Sequence, residues 1–206
     1  MSFYGRVVLP RLIDLVMGNK AATAERAKLV PVASGTVLEI GVGSARNMPH
    51  YGSHVRVVYG VDPSIELWDI GRRRLGGQPF AVRYLAGSAE QLPVADRSVD
   101  TVLSTWTLCS IPDVGAALRE LRRVVKPGSR FIFIEHGRAP DARVRRWQDR
   151  LTPMWARISA GCHLNRPIDA LIEEAGFSLL TLDREDTSRP KPMAYLYKGV
   201  ALAPQS

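Results

Sequence analysis

Residues 35–47, written GTVLEIGVGSARN, constrain the fold more than any other stretch of the chain. Residues 36–40 are mostly β-branched or apolar and too few for a helix, which reads as a short buried strand. Gly41 and Gly43 follow at once and make a glycine loop whose backbone can turn sharply and offer free N–H groups. Glu39 is the residue of the strand that does not suit a core. It stands two before Gly41, at the strand's exit, where a carboxylate meets whatever the glycines admit. A second apolar run, residues 55–61, ends in Asp62, and an acid at the tip of that strand is placed to hold ribose hydroxyls. The glycine loop alone also fits a tight turn with no ligand. With both acids added, the pattern describes a nucleoside-binding α/β domain.

The kind of nucleoside follows from charge. A dinucleotide site reads G-x-G-x-x-G and closes on a pyrophosphate. Here the run is GVGSAR, with Arg46 in place of the last glycine. Glu39 would repel a pyrophosphate and attract a cation. S-adenosylmethionine carries no phosphate but has an ammonium group and a sulfonium, so it fits better than NAD. On these residues the chain resembles the class I S-adenosylmethionine-dependent methyltransferases. It departs from their common loop at Ala45, where a third glycine is usual, and the added methyl restricts the backbone there.

Length, charge and cysteine usage narrow the rest. A chain of 206 residues with 46% hydrophobic content suits one domain with a sizeable core. No apolar run approaches a membrane span, and the start lacks a signal peptide's unbroken apolar region. Two cysteines, Cys109 and Cys162, make no disulfide scaffold, so a reducing cytoplasm is expected. The net charge is +8, and the positives are scattered along the chain, with local density at residues 72–74, 119–123 and 138–150. Without aromatic interleaving these read as solvated helix faces, which argues against nucleic acid.

In chain order, helices are expected before the first strand and again after Gly43, the latter ending near Pro49. Pro63 and Ser64 open a helix running through Arg74, residues 81–86 form a third strand, and residues 99–104 a fourth. An amphipathic helix spans residues 113–125, with Asp113 as its N-cap, and residues 130–135 form the fifth strand. A basic helical stretch over residues 141–159 is expected to break at Pro153. A short helix stops at Gly176, and two strands, residues 177–182 and 193–200, finish the fold. His136, at the exit of the fifth strand, is either a proton acceptor for a substrate or a loop histidine bonded to backbone. Cys109 has no evident activating base and reads as a small buried hydrophobe rather than a nucleophile. Cys162 and His163 lack metal-ligand partners at a usual spacing, and no metal is expected.

Three blocks extend the resemblance over nearly the whole chain: STWTLCSIPD at residues 104–113, FIEHGR at 133–138, and RWQDRLTPMW with GCHLNRP between 146 and 167. They resemble the methyltransferase-like-7 group, the thiol S-methyltransferases of animals, and their bacterial relatives. The general sheet motifs also resemble ubiquinone/menaquinone C-methyltransferases and bacterial phosphatidylethanolamine N-methyltransferases. The resemblance implies a doubly wound, Rossmann-like seven-stranded sheet, mostly parallel, with helices on both faces and an antiparallel C-terminal hairpin. It implies a single domain: a helical lid over 1–34, a cofactor core over 35–136, a helical substrate-side insert over 137–176 and the hairpin over 177–206.

For the cofactor it implies Glu39, Gly41 and Gly43 at the methionine end and Asp62 with Pro63 at the ribose. Ser88 and Ala89 fall at the adenine, where Ser88 replaces a common aspartate. Ser104, Thr105 and Trp106 fall beside the transferable methyl, where Trp106 either walls the pocket or packs in the core. Tyr4, Trp106, His136 and Trp147 are candidates for the acceptor pocket, with Phe3, Met154 and Trp155 adding apolar area. Tyr4 and Arg6 are either lid residues or ordinary surface contacts. The implied reaction is methyl transfer to a small lipophilic nucleophile such as a thiol. The alternatives are a phospholipid or quinone acceptor at a membrane surface, and a non-catalytic S-adenosylmethionine-binding regulator. The animal thiol enzymes carry an N-terminal membrane anchor, whereas this chain opens on the lid. Peripheral membrane contact stays open, and no obligate protein partner is expected.

Overall fold

A computed structural model describes residues 4–186 and 190–205. Phe3, expected in the lid, lies outside the described residues. Seven strands form one sheet: β1 (Gly35–Ile40), β2 (Val55–Asp62), β3 (Ala81–Ala86), β4 (Val99–Thr105), β5 (Val125–His136), β6 (Ser178–Asp186) and β7 (Tyr195–Leu202). Their spatial order is β3-β2-β1-β4-β5-β7-β6. The first five run parallel, and β7 inserts antiparallel between β5 and β6. This is the doubly wound sheet with a C-terminal hairpin that the strand pattern and the resemblance imply.

The central strands are buried on both faces, as parallel strands flanked by helices must be. On one face α4 (Val114–Val124) and α6 (Ile168–Glu174) supply Leu118, Leu121, Ile168 and Ile172 against Leu38, Phe131 and Phe133. On the other, Val30, Met48, Tyr51 and Trp68 cover Val37, Val58, Leu103 and Ile132. Trp68 belongs to α3 (Ile65–Gly71), which Ser64 caps by accepting from Leu67 N at 3.2 Å. Two further helices, α1 (Leu9–Met17) and α2 (Lys20–Leu29), precede the sheet, α1 following a short π-helical turn over Tyr4–Val8. Among the described residues, no helix is long and apolar enough to cross a membrane.

Three local expectations change. No α-helix follows Gly43: Ala45 sits at φ +59°, so the chain turns irregularly into a short 3-10 segment, Met48–His50. The helix after Pro63 tightens to 3-10 geometry over Arg72–Arg74. Helix α5 (Ala142–Ile158) runs unbroken through Pro153, which lies on the exposed face where water can take the freed carbonyl. Gln148 anchors α5, donating to Gly137 O at 3.0 Å and accepting from Ala139 N at 2.9 Å.

Candidate active site at the strand exits

In an open parallel sheet, ligands bind beyond the carboxyl ends of the strands where the strand order reverses, here between β1 and β4. Glu39 ends up at this place with 1% of its surface exposed. Its carboxylate accepts from Tyr51 OH at 2.6 Å and from Asn47 Nδ2 at 2.9 Å. Burial nevertheless pushes its carboxyl up to about 7, against those two hydrogen bonds and the nearby Arg26. The same Asn47 amide donates to Thr105 Oγ1 at 3.0 Å, tying the exits of β1 and β4 together. Arg26, 4% exposed on α2, donates through Nε to Asn47 Oδ1 at 3.0 Å and through a terminal nitrogen to Met17 O at 2.7 Å. Burial lowers this guanidinium to about 10. Its plane lies over the Trp106 ring, 4.7 Å from the centroid. Arg26 thus fastens the N-terminal helices to the floor of the site.

The glycine loop is held by acids from both sides. Asp62 accepts from Gly43 N at 2.9 Å and from Ser64 N at 2.8 Å, and burial raises its pKa against these bonds. Gly41 has φ +64°, and a Cβ there would stand 2.0 Å from Thr107 Oγ1, so only glycine lets the β4 exit approach. At Gly43 a Cβ would meet nothing nearer than 3.8 Å, which leaves this stretch of backbone open to a ligand. Arg46, where a dinucleotide loop would have its last glycine, pairs with Asp14 of α1 at 2.9 Å, and Arg74 joins the same carboxylate at 3.1 Å.

On the other side of the reversal, Ser104 Oγ donates to Glu135 Oε1 at 2.6 Å, and the N–H groups of Thr107 and Cys109 also donate to this carboxylate. Glu135 is fully buried, and burial raises its pKa. Trp106 stands between these bonds at φ +52°, an unfavourable backbone region for a bulky residue.

Beyond β3, Ser88 Oγ donates to Glu90 at 2.6 Å, Ala89 is buried in the core, and Gly87 N donates to Asp62 O at 3.3 Å. Pro63 is exposed. Tyr4 is 44% exposed, on a turn whose Arg6 lies 3.6 Å from Glu66. Trp147 points outward, 55% exposed, with Arg150 over its ring. The strand exits therefore gather Glu39, Gly41, Gly43, Asp62, Thr105 and Trp106, with Ser104 and His136 alongside, while Trp147 stands apart on the surface.

Sequence reasoning passed over Arg26, Asn47 and Tyr51, whose roles exist only through tertiary bonds. It also passed over a grouping of Cys109, His136 and Cys162, whose ligand atoms all lie within 4.8 Å of one another. The Cys109 thiol is pushed well up by its contact with Cys162 and by burial, and Cys162 is drawn down by the same contact. His163, beside Cys162 in sequence, turns its ring instead to Gly161 O at 2.7 Å.

The donor set fits S-adenosylmethionine. A buried carboxylate held near neutrality suits an incoming ammonium, and an acid at the end of β2 suits hydroxyls. Comparison with known proteins agrees. A "Methyltransferase domain" family model matches residues 38–133. Thiol S-methyltransferase TMT1B of Rattus norvegicus is 34% identical over 171 residues, 80% of this chain and 67% of that protein. Its Homo sapiens counterpart is 30% identical over 202 residues, 94% of this chain and 80% of that protein. The ubiquinone/menaquinone biosynthesis C-methyltransferase UbiE of Rubrivivax gelatinosus is 37% identical over 105 residues, 51% of this chain and 41% of that protein. Among solved structures, a Haloferax volcanii complex between the Trm112 methyltransferase activator and a methyltransferase superposes with a TM-score of 0.71 at 19% identity. That match covers 98% of this chain and 96% of that one.

Proposed function

The chain belongs to the class I S-adenosylmethionine-dependent methyltransferases, and we propose that its acceptor is a small lipophilic thiol. S-adenosylmethionine supplies a methyl group already activated on a sulfonium, so the protein's work is to bind, align and exclude water. Aligning two reactants can remove about 7–11 kcal/mol of barrier. In this reading Glu39 ionises against the ammonium, Asp62 takes the ribose hydroxyls, and Thr105 and Trp106 flank the reacting centre.

The observation that carries the thiol reading is where the similarity runs. Likeness to the human thiol S-methyltransferase extends over 94% of the chain, so it takes in the exits of β4 and β5 and the insert beyond them. Likeness to the quinone enzyme covers 51%. The chemistry of the exits supports the same reading. Glu135 already accepts three hydrogen bonds, and His136 Nδ1 lies 3.9 Å from the Cys162 sulfur. An acceptor that needs little help from a base suits such a site. A thiol of ordinary pKa, about 8.5, already has some thiolate at neutral pH. A second reading, a quinone or lipid acceptor at a membrane surface, draws on the apolar side of α1, where Leu12, Leu15 and Val16 are 45%, 71% and 60% exposed.

Transfer of label from S-adenosylmethionine to a panel of alkyl and aryl thiols, quinols and phosphatidylethanolamine tests both. Turnover of thiols is expected. Turnover of quinol or lipid alone, with binding to anionic liposomes, would move the function to the membrane surface.

A further inference from the structure

Cys109, His136 and Cys162 come from three separate places: the loop after β4, the last residue of β5 and the turn after α5. The Cys162 sulfur lies 3.6 Å from the Cys109 sulfur and 3.9 Å from His136 Nδ1. Two thiolates and an imidazole bound tetrahedrally at ordinary zinc distances are separated by about 3.5–3.8 Å. The two edges that meet at Cys162 therefore come within about half an ångström of tetrahedral zinc edges, and the third, between Cys109 and His136, is no longer than 4.8 Å.

The surroundings hold this grouping in place. His163 N donates to Cys109 O at 2.7 Å, joining the two cysteine-bearing segments directly. Gly161 has φ +88°, and a Cβ there would stand 2.8 Å from Ser110 O, so the turn before Cys162 reaches the β4 exit only as glycine. Glu135 holds the N–H of Cys109 at 3.2 Å. The sulfurs are 1% and 7% exposed by residue, and His136 is partly exposed, so the cluster opens on the histidine side. Trp155 packs against the cluster that Cys109 and Cys162 form with Leu164. Its indole nitrogen is, among the described residues, a buried side-chain donor with no hydrogen-bond partner. A thiolate accepts a hydrogen bond far better than a thiol, so ionised cysteines would supply what this donor lacks.

We propose that Cys109, His136 and Cys162 form a zinc site whose fourth position takes the sulfur of the acceptor thiol. Two thiolates and one imidazole with an open position are a donor set of catalytic zinc, and too soft for magnesium or calcium. Loading Zn2+ releases both cysteine protons to solvent, and coordination of the acceptor releases its thiol proton in turn. Nothing is oxidised or reduced. The acceptor is thereby kept as a thiolate at neutral pH beside the β4 exit, with no protein base required. The metal assignment stands on geometry alone; the assignment of the fourth position rests on the thiol reading above.

The experiment uses the full chain, stripped with a chelator and titrated with Co2+. The expected result is a single equivalent bound, with thiolate-to-cobalt charge-transfer absorption and the visible bands of a tetrahedral site. Both should be displaced by Zn2+. The Cys109→Ser, Cys162→Ser double variant should lose the charge-transfer band while still binding S-adenosylhomocysteine calorimetrically, which shows that it is folded. No cobalt bound, or cobalt bound without that band, would overturn the metal site. Adding an alkyl thiol to the cobalt form should shift the visible bands. Unshifted bands on a loaded protein would overturn the fourth-position assignment and leave the metal site standing. Stripped protein methylating thiols at an undiminished rate would overturn the metal's role and leave the thiol reading intact.

Discussion

Glutamine at position 39 keeps the shape of the glutamate and removes its charge. Glu39 is 1% exposed, and burial moves its carboxyl from 4.5 up to about 7 despite hydrogen bonds from Tyr51 and Asn47. A carboxyl raised by folding binds its proton more tightly in the folded chain than in the unfolded one. Its contribution is therefore favourable at low pH and is lost as pH rises from the unfolded value through the folded one. From the two values, Glu39 destabilises the ligand-free fold by about 3 kcal/mol at pH 8 and about 1 kcal/mol at pH 5. An imperfect amide replacement for two accepted hydrogen bonds costs about 1 kcal/mol. Ligand-free Glu39→Gln should then be about 2 kcal/mol more stable than the parent at pH 8 and about equal to it at pH 5. Urea unfolding of both proteins at both pH values measures this directly. The same substitution should weaken S-adenosylhomocysteine binding roughly tenfold or more, because a charge-assisted hydrogen bond to the ammonium is lost. A variant less stable than the parent at pH 8, or a difference that stays constant with pH, would refute the argument that burial strains this carboxylate.

The same carboxyl sets a pH profile for ligand binding. An ammonium needs Glu39 ionised, so S-adenosylhomocysteine affinity should fall about tenfold from pH 8 to pH 6, and calorimetry on Glu39→Gln should give a flat profile. Gly41→Ala places a methyl 2.0 Å from Thr107 Oγ1 at φ +64°. It should cost about 2–4 kcal/mol, read as a lowered midpoint in urea, whereas the uncrowded Gly43→Ala should cost about 1–2 kcal/mol. Lys198, 6% exposed on β7, pairs with Glu25 at 2.8 Å, with Asp183 at 3.4 Å and with Glu185. Lys198→Met leaves the buried Glu25 with the exposed Lys28 alone and should cost about 2–3 kcal/mol in thermal unfolding.

What the chain reveals before folding depends on how local the cause is. Strands β1, β2 and β4 are legible because each is a short apolar run stopped by glycine or an acid, and the sheet's order follows from the wider resemblance. The segment after Gly43 misleads because nothing in SARNM forbids a helix. What forbids it is the left-handed backbone at Ala45 and the inward turn of Asn47 towards Glu39 and Thr105. Arg26 is one arginine among many in the sequence, and its link to Asn47 and Trp106 appears only when α2 docks. Cys109, His136 and Cys162 escape for the same reason. They are spread over three elements at separations matching no ligand spacing, and the neighbouring Cys162-His163 pair draws the eye to the wrong histidine.

The position of β7 has a consequence for how the protein is made. Strand β5 carries the fully buried run Phe131, Ile132, Phe133 and Ile134, and the neighbour that completes its pairing is β7. Between them in sequence come α5, α6 and β6. At about 5–20 residues per second, a ribosome needs roughly 3–12 s to pass from the end of β5 to the start of β7. For that interval an apolar strand edge in the middle of the future sheet has no partner of its own, and it is open to pairing with other nascent chains. The nascent chain is thus most exposed to misassociation after its cofactor half has emerged. Chains stalled on the ribosome with β5 outside the tunnel and β7 not yet made should show raised chaperone capture, and the released full chain should show it lowered.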